Sequence, residues 1–364
     1  MQLAPEIVSA MQQLALEQRR LLGPRAGWHI GDVAWGLRQH EGRENEWKIR
    51  LWVEDGRTVA WSWLKQDGQA LLEHDVHPDH LGLLDEILAE PAAQVVPALE
   101  DDAERREALA RHGFTEPGKP MHYLARDLVE PPELPELPEG FRYRTVGLED
   151  VAERVSIHRE VWAPSRVTES SFAQVRAQWP YRESLDCVIE APDGRFAAYC
   201  LCWPDDEHRV GELEPVGTRE EFRRRGLGAA VCTFALRRLH EEGGRQAIVY
   251  CATEPACALY KSLNFRVHAS LVEYSREGGV PLESVGDARS SALASQEPRL
   301  GRCSGMTPDR AAMVMPGAPP RPSTVPSVPV RAGGPEARTA CPNYHRHPWP
   351  RASSSVPSAT RTIP

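Results

Sequence analysis

The stretch from Gly211 to Ala230 constrains the fold of this chain more than any other. It reads as a strand ending in Pro215, Val216 and Gly217, then a short polar loop with Thr218. Three arginines follow (Arg223, Arg224, Arg225), and Gly226, Leu227, Gly228 and Ala229 open a helix. Glycines let backbone N–H groups approach a ligand closely. The first turn of a helix has N–H groups without internal partners and the positive end of the aligned peptide dipoles, so an anion fits there. Arginines add full charge. The pattern describes a phosphate or pyrophosphate cradle between a strand and a helix. It is not a P-loop, because GxxxxGK[ST] is missing, and it is not a dinucleotide fingerprint, because the third glycine is absent.

The cradle lies in the second of two similar halves. Residues 130–140 alternate proline with glutamate and leucine, a stiff extended linker in which each proline bars helix. Beyond it the periodicity predicts strands over Phe141–Val146, Asp186–Glu190, Arg195–Trp203, His208–Gly217, Arg245–Ala252 and Phe265–Tyr274. Helices are expected over Leu148–Val161, Ser170–Gln178, Gly226–Glu242 and Glu254–Leu263. The first half offers helices over Glu6–Leu22, His80–Ala89 and Asp101–His112. Its strands fall at Gly31–Gln39, Glu46–Glu54, Thr58–Lys65, Ala70–Val76, Ala93–Pro97 and Met121–Asp127. Each half therefore has an antiparallel start, a central strand feeding a helix, then strand–helix–strand, as expected of a tandem repeat of one α/β unit.

Charge is unevenly spread. Residues 284–364 carry fourteen prolines, ten arginines, no lysine and four acidic residues, a charge of +6. That leaves −15 for residues 1–283 against −9 for the whole chain. The tail shows no helical or strand periodicity and too little apolar surface to offset chain entropy, so disorder is expected. The acidic body argues against nucleic-acid or anionic-membrane partners. The absence of a long apolar run or a secretory signal points to a soluble, cytoplasmic protein. None of the eight cysteines form CxxC, the histidines show no ligand spacing, and no metal site is expected. The cysteines read as buried small hydrophobes.

The cradle also carries a resemblance. Arg223-x-x-Gly226-x-Gly228, after a strand ending Glu214-Pro215-Val216-Gly217-Thr218, is similar to the acetyl-CoA motif of the GCN5-related N-acetyltransferases, the GNAT superfamily. At the expected distance, Ala256, Leu259, Tyr260 and Phe265 resemble the family's A-x-x-L-Y-x-x-x-G-F segment. The resemblance covers about residues 139–280. It implies a mixed α/β (α+β) fold of two GNAT-like domains, each a mostly antiparallel sheet flanked by helices. Residues 1–130 would be a degenerate copy, 131–139 a linker, 140–283 the catalytic domain and 284–364 a disordered tail.

By the same resemblance, the backbone of Val216, Gly217 and Thr218 would pair with the pantetheine arm of acetyl-CoA, the co-substrate. Arg223, Arg224, Arg225, Gly226, Leu227, Gly228 and Ala229 would hold its pyrophosphate. Tyr260 falls where the family places its general acid; a phenol is protonated at neutral pH and can donate to the departing sulfur. Glu212 and Glu214 lie two apart on one strand and share a face. Glu214, nearer the acetyl group, is the candidate base, acting through water. Thr253 stands where the family often has Asn and could cap the following helix. Asn264 replaces a glycine and tolerates the left-handed geometry of a helix end.

In the first half the counterpart of Tyr260 is Leu109, and no arginine cluster follows Val76, so that copy is expected to be silent. Six of the ten tryptophans lie between Trp28 and Trp63. They could wall an acceptor pocket or simply fill the core. The function expected is acetyl transfer to a primary amine of a small molecule or peptide, with the acidic body favouring a cationic acceptor. The competing reading is a non-catalytic acyl-CoA-binding module.

Overall fold

The structure is a computed structural model. It describes residues 5–40, 42–43, 46–66, 68–276 and the backbone of 359–363. The first half contains helices α1 (Pro5–Leu22), α2 (Ile30–Arg38), α3 (Leu84–Leu88) and α4 (Ala103–Arg111). Its strands are β1 (Trp47–Glu54), β2 (Arg57–Lys65), β3 (Leu71–Val76), β4 (Val95–Leu99), β5 (Phe114–Pro117) and β6 (Met121–Asp127). The second half contains β7 (Arg142–Thr145), α5 (Val151–Val161), α6 (Glu169–Arg176), β8 (Asp186–Glu190), β9 (Phe196–Asp205) and β10 (Val210–Thr218). Helix α7 (Leu227–Glu241), β11 (Gln246–Cys251), α8 (Glu254–Ser262) and β12 (Arg266–Arg276) follow. No helix among the described residues is long and apolar enough to cross a membrane.

The two halves build one continuous sheet, and they exchange their last strands. Strand β6 of the first half lies between β11 and β12 of the second, pairing through His122–Asp127 with β11 and through Met121–Ala125 with β12. Strand β12 of the second half continues past it and lies between β4 and β5 of the first, pairing Leu271–Ser275 with Val95–Leu99. Leu124 and Leu128, first-half residues by sequence, are therefore buried in the second half's core with Leu213, Val231, Leu236, Val249 and Tyr260. Val272 and Tyr274 reciprocally enter the first half's core with Trp52, Val96 and Phe114. Burying such side chains contributes about 1.5–3 kcal/mol each, so each half holds part of the other's stability.

One expected element is overturned. Gly31–Gln39, expected as a strand, is helix α2. Its N-terminus is closed by a reciprocal capping box: His29 Nδ1 accepts the Gly31 N–H at 3.0 Å, and Asp32 Oδ2 accepts the His29 N–H at 2.7 Å. Every residue of α2 is buried. One side packs on α1, while Ala34 and Trp35 join Val155, Phe172, Val175 and Trp203 of the second half. The disorder expected for 284–364 falls outside the described residues except at 359–363. There the backbone forms strand β13 (Ala359–Ile363), antiparallel to β1 at the sheet edge.

Candidate active site

The site begins where two parallel strands part. Strands β10 and β11 are in register at Val210–Gln246, Gly211–Ala247 and Glu212–Ile248, and at no pair beyond. On its other edge β10 stays paired with β9: Val216 with Cys200, Gly217 with Tyr199, Thr218 with Ala198, after an irregularity between Leu213 and Val216. The β11-facing edge of Val216–Thr218 is thus free of a strand partner, the placement expected for a backbone that pairs with an extended ligand arm. Gly217 is required for packing, since a Cβ there would lie 2.6 Å from the Tyr199 ring and 2.8 Å from Val161.

The loop after β10 is anchored by Arg219, a residue the motif reading passed over. Its buried guanidinium binds Glu160 and Glu153 of α5 at 2.7 and 2.6 Å and the Phe196 carbonyl at 2.7 Å. By contrast Arg223, Arg224 and Arg225 are all exposed. Arg223 Nε donates to the Thr218 carbonyl at 3.2 Å, Arg225 lies over the Phe222 ring, and Arg224 takes a positive φ of 60°. Gly226 is the N-cap of α7, left-handed at φ 79°, and no side chain caps the helix. The first-turn N–H groups of Leu227, Gly228 and Ala229 therefore have no side-chain acceptor. Gly228 sits with its missing Cβ 3.2 Å from Thr218 Oγ1. Uncapped N–H groups, three solvent-facing arginines and a close backbone approach fit a pyrophosphate.

Tyr260 projects from α8 into the same core, 5% exposed, beside Phe265. Burial, with Cys232, Cys200 and Glu214 nearby, pushes its phenol well above 10. It is held protonated, as a proton donor must be. Asn264 ends this segment at φ 62°, the left-handed turn expected of it. Thr253 differs from expectation: it is the N-cap of α8, but its hydroxyl makes no capping bond. The cysteines differ too. Cys251, at the end of β11, is disulfide-bonded to Cys257 in α8, with Cα atoms 5.7 Å apart. Cys187, Cys200, Cys202 and Cys232 are buried free thiols, as expected.

Glu214 stands at the divergence, 8% exposed, and its carbonyl accepts Trp203 Nε1 at 2.7 Å. It is not alone. Asp32 of α2, Glu212 and Glu214 each bring a carboxylate oxygen within 4.8 Å of the others. Glu212 is fully buried, with His29 Nδ1 3.1 Å from its Oε2. Three acids in one buried place attract a cation. The sequence reading found Glu212 and Glu214 but missed Asp32 and His29, because both sit on the segment expected to be a strand. The spacing His29–Asp32 at the head of an apolar segment is the one local signal for them.

The first half's counterpart is filled. Strands β3 and β4 pair in parallel only at Leu71–Val95. Past that point the Val76 carbonyl accepts Gln18 Nε2 at 2.7 Å and an Arg105 guanidinium nitrogen at 2.9 Å, while the His74 carbonyl accepts Trp28 Nε1 at 3.3 Å. Leu109, the counterpart of Tyr260 by sequence count, is buried in the first half's core.

Parallel strands part twice over in one sheet, in the second half beside an uncapped Gly-x-Gly helix, and this arrangement defines a tandem acyltransferase-like fold. Residues 153–265, in the second half, match the model of the acetyltransferase (GNAT) family. It is 26% identical over 298 residues to a mycothiol acetyltransferase of Streptomyces coelicolor, covering 76% of this chain and 94% of that one. A mycothiol acetyltransferase of Segniliparus rotundus is 26% identical over 227 residues, 57% of this chain and 85% of that one. Among solved structures, a GCN5-related N-acetyltransferase from Sphaerobacter thermophilus superposes with a TM-score of 0.53 at 20% identity, over 77% of this chain and 96% of that one. A tandem GNAT protein from the clavulanic acid biosynthesis pathway gives 0.53 at 18% identity, over 76% and 96%. These two show the fold.

Proposed function

We propose that this protein moves the acetyl group of acetyl-CoA to a primary amine of a small molecule or peptide, in the cytoplasm, using the second half's site. The first half is a non-binding copy, a reading supported by the side chains that fill its divergent strands. The observation that carries the acceptor class is the buried trio Asp32, Glu212 and Glu214 beside the strand divergence: a cationic amine matches it in charge. The relatives named mycothiol acetyltransferases support a small-molecule acceptor.

Acetyl-CoA supplies the activated thioester. Val216–Thr218 would pair with its pantetheine arm, and Arg223, Arg225 and the N–H groups of Leu227–Ala229 would hold its pyrophosphate, with Arg224 at the rim. Glu214 takes a proton from the ammonium through water, which frees the nitrogen lone pair. As nitrogen bonds to the acetyl carbon and the carbon–sulfur bond breaks, the Tyr260 hydroxyl protonates the thiolate, and the second proton that nitrogen sheds as the amide forms restores Tyr260 through solvent. Asp32 orients the amine.

Two measurements test this. Calorimetry should detect acetyl-CoA binding by the full chain, weakened in Arg223→Ala/Arg225→Ala. A screen of small amines, amino acid derivatives and peptides for free-CoA release should find acceptors that are cationic. Binding without turnover across that panel would instead favour an acyl-CoA-binding module.

A further inference from the structure

Helix α8 carries Tyr260, and its two ends are held by different means. It has 9 residues, too few for a helix to be stable by itself in water. Of these only Cys257 and Tyr260 are buried. The C-terminal end has non-covalent anchors: Arg126 Nη1 donates to the Leu263 carbonyl at 2.9 Å, and the Phe265 ring packs against Tyr260 with centroids 5.9 Å apart. The N-terminal end has no such anchors. Its N-cap Thr253 makes no side-chain bond, Pro255 has no N–H to donate, and Glu254 and Pro255 are exposed. What seats this end is the covalent bond from Cys257 to Cys251.

Cys251 stays in place without that bond. It is fully buried at the end of β11, which pairs with β6 from Gln246–Asp127 to Cys251–His122. The bridge thus fastens a weakly held element to a fixed one, and it does so at the opening of the site. Strand β11 leaves β10 after Ile248, just before Cys251, and Tyr260 lies about one helical turn beyond Cys257.

We propose that the Cys251–Cys257 bridge is a thiol-exchange site, opened by a low-molecular-weight thiol and closed by the corresponding small disulfide, and that it latches the helix on which Tyr260 stands. The chemistry balances within that couple. A small thiolate attacks Cys257 Sγ, since Cys257 is 7% exposed and Cys251 0%. The bond between the two sulfurs breaks, and its electron pair leaves with Cys251 Sγ, which takes a proton. A second small thiolate attacks the mixed disulfide and releases the Cys257 thiolate, which is protonated in turn. Two small thiols are oxidised to one disulfide, and the bridge is reduced to two thiols; the reverse sequence closes it. Disulfides in thiol-rich compartments are usually of this transient kind. Opening frees a loop with a sequence separation of 6. The first turn of α8 then frays, and Tyr260 loses one side of its seat. That this slows acetyl transfer rests on the function proposed above; the opening itself does not.

The test uses the full chain without acetyl-CoA or amine. Cleavage after Arg245 and Lys261 yields one peptide with both cysteines. After oxidised glutathione it should resist alkylation and carry no added mass; after reduced glutathione both cysteines should be alkylated. Hydrogen exchange at the amides of 257–260 should be roughly ten- to fiftyfold faster in the reduced protein, the factor expected for releasing so short a loop, while α7 and β11 keep their rates. Cys251→Ser/Cys257→Ser should exchange at the fast rate with either reagent; should it not fold, the wild-type comparison decides. Alkylation of both cysteines after oxidised glutathione, equal exchange in the two wild-type states, or a further acceleration by thiol in the double variant would each overturn the proposal. With an amine that is acetylated, reduction should lower kcat several-fold at an unmoved KM for acetyl-CoA, and an unmoved kcat would overturn the latch. Failure of every amine to be acetylated would count against the proposed function and leave the alkylation and exchange results to decide this one.

Discussion

Leu124 belongs by sequence to the first half, yet its side chain is 1% exposed in the core of the second, against Leu213, Val249 and Tyr260. Leu124→Ala removes most of that side chain where strands on both sides prevent collapse. Such truncations cost about 2–5 kcal/mol, out of a total of about 5–15 kcal/mol for a typical domain. At roughly 2–4 °C per kcal/mol for chains of this size, the melting temperature should fall by about 4–20 °C. Two probes separate the halves. Six of the ten tryptophans lie between Trp28 and Trp63, so fluorescence reports mainly the first half. The melting shift caused by acetyl-CoA reports the second. Because β6 and β12 are exchanged, both probes should move together in one transition. The matching excision follows. Residues 140–283 alone lack the strand between β11 and β12 and expose Val249, Phe265 and the unpaired backbone of both strands, so they should not fold or bind acetyl-CoA. A folded, acetyl-CoA-binding 140–283 fragment, or a Leu124→Ala melt in which only the tryptophan transition shifts, would show that the halves are independent.

Tyr260→Phe should lower kcat by about 10²–10⁴-fold, the range for losing a general acid, with little change in acetyl-CoA affinity; stopped-assay kinetics across pH checks this. Asp32→Asn should reduce kcat/KM for the amine by roughly 10- to 100-fold, as expected for loss of a charge-assisted hydrogen bond, while calorimetric acetyl-CoA binding is unchanged. Gly31→Ala should destabilise by about 1–3 kcal/mol, because the new Cβ would lie 2.4 Å from Trp203 Cγ; urea unfolding measures it, and a raised KM for the amine should accompany it. Glu273 is raised from 4.5 to about 7, first by burial and then by Glu73, with Lys65 opposing. The folded state binds its proton more tightly than the unfolded chain, so stability falls as pH rises from about 4.5 to 7. Glu273→Gln should therefore stabilise by about 3 kcal/mol above pH 7 and by nothing below pH 4.5, a difference that melts at pH 8 and pH 4 would reveal.

The second half was legible because its signals are local. Strand β8 falls where alternation placed it, at Asp186–Glu190, and α5, α7 and α8 end within a few residues of their expected bounds. The start of α7 was legible for the same reason, since its glycines and arginines are contiguous. Helix α2 was not. Val33, Trp35 and Leu37 alternate as in a strand, while Ile30, Ala34 and Leu37 recur as in a helix. A helix covered on every side shows no polar face to decide between them. Misreading α2 hid Asp32 and His29. The strand exchange was equally hidden: Met121–Asp127 and the last strand have the same periodicity whichever sheet position they take, and pairing order is not a local property. The Cys251–Cys257 bridge depends on β11 and α8 meeting at a sharp turn, which spacing alone does not show.

The exchange explains how a site can be assembled from two halves joined by a linker of prolines and glutamates. Asp32 must be held against Glu212 and Glu214 to within a fraction of an ångström for the acids to act as one group. A linker cannot do that, and residues 130–140 are outside any helix or strand. The registration comes from three rigid contacts. The first is β6 clamped on both edges by the second half. The second is α2 wedged by Trp35 against His158 and by Gly31 against Trp203. The third is the Ser171 hydroxyl of α6 donating to the Gln39 carbonyl at the end of α2, at 2.8 Å. Each crosses from one half to the other, and each involves a residue remote from the cradle. Under the function proposed above, the first half need not bind acetyl-CoA to be essential: it would supply one of the acceptor's carboxylates and the scaffold that fixes its position.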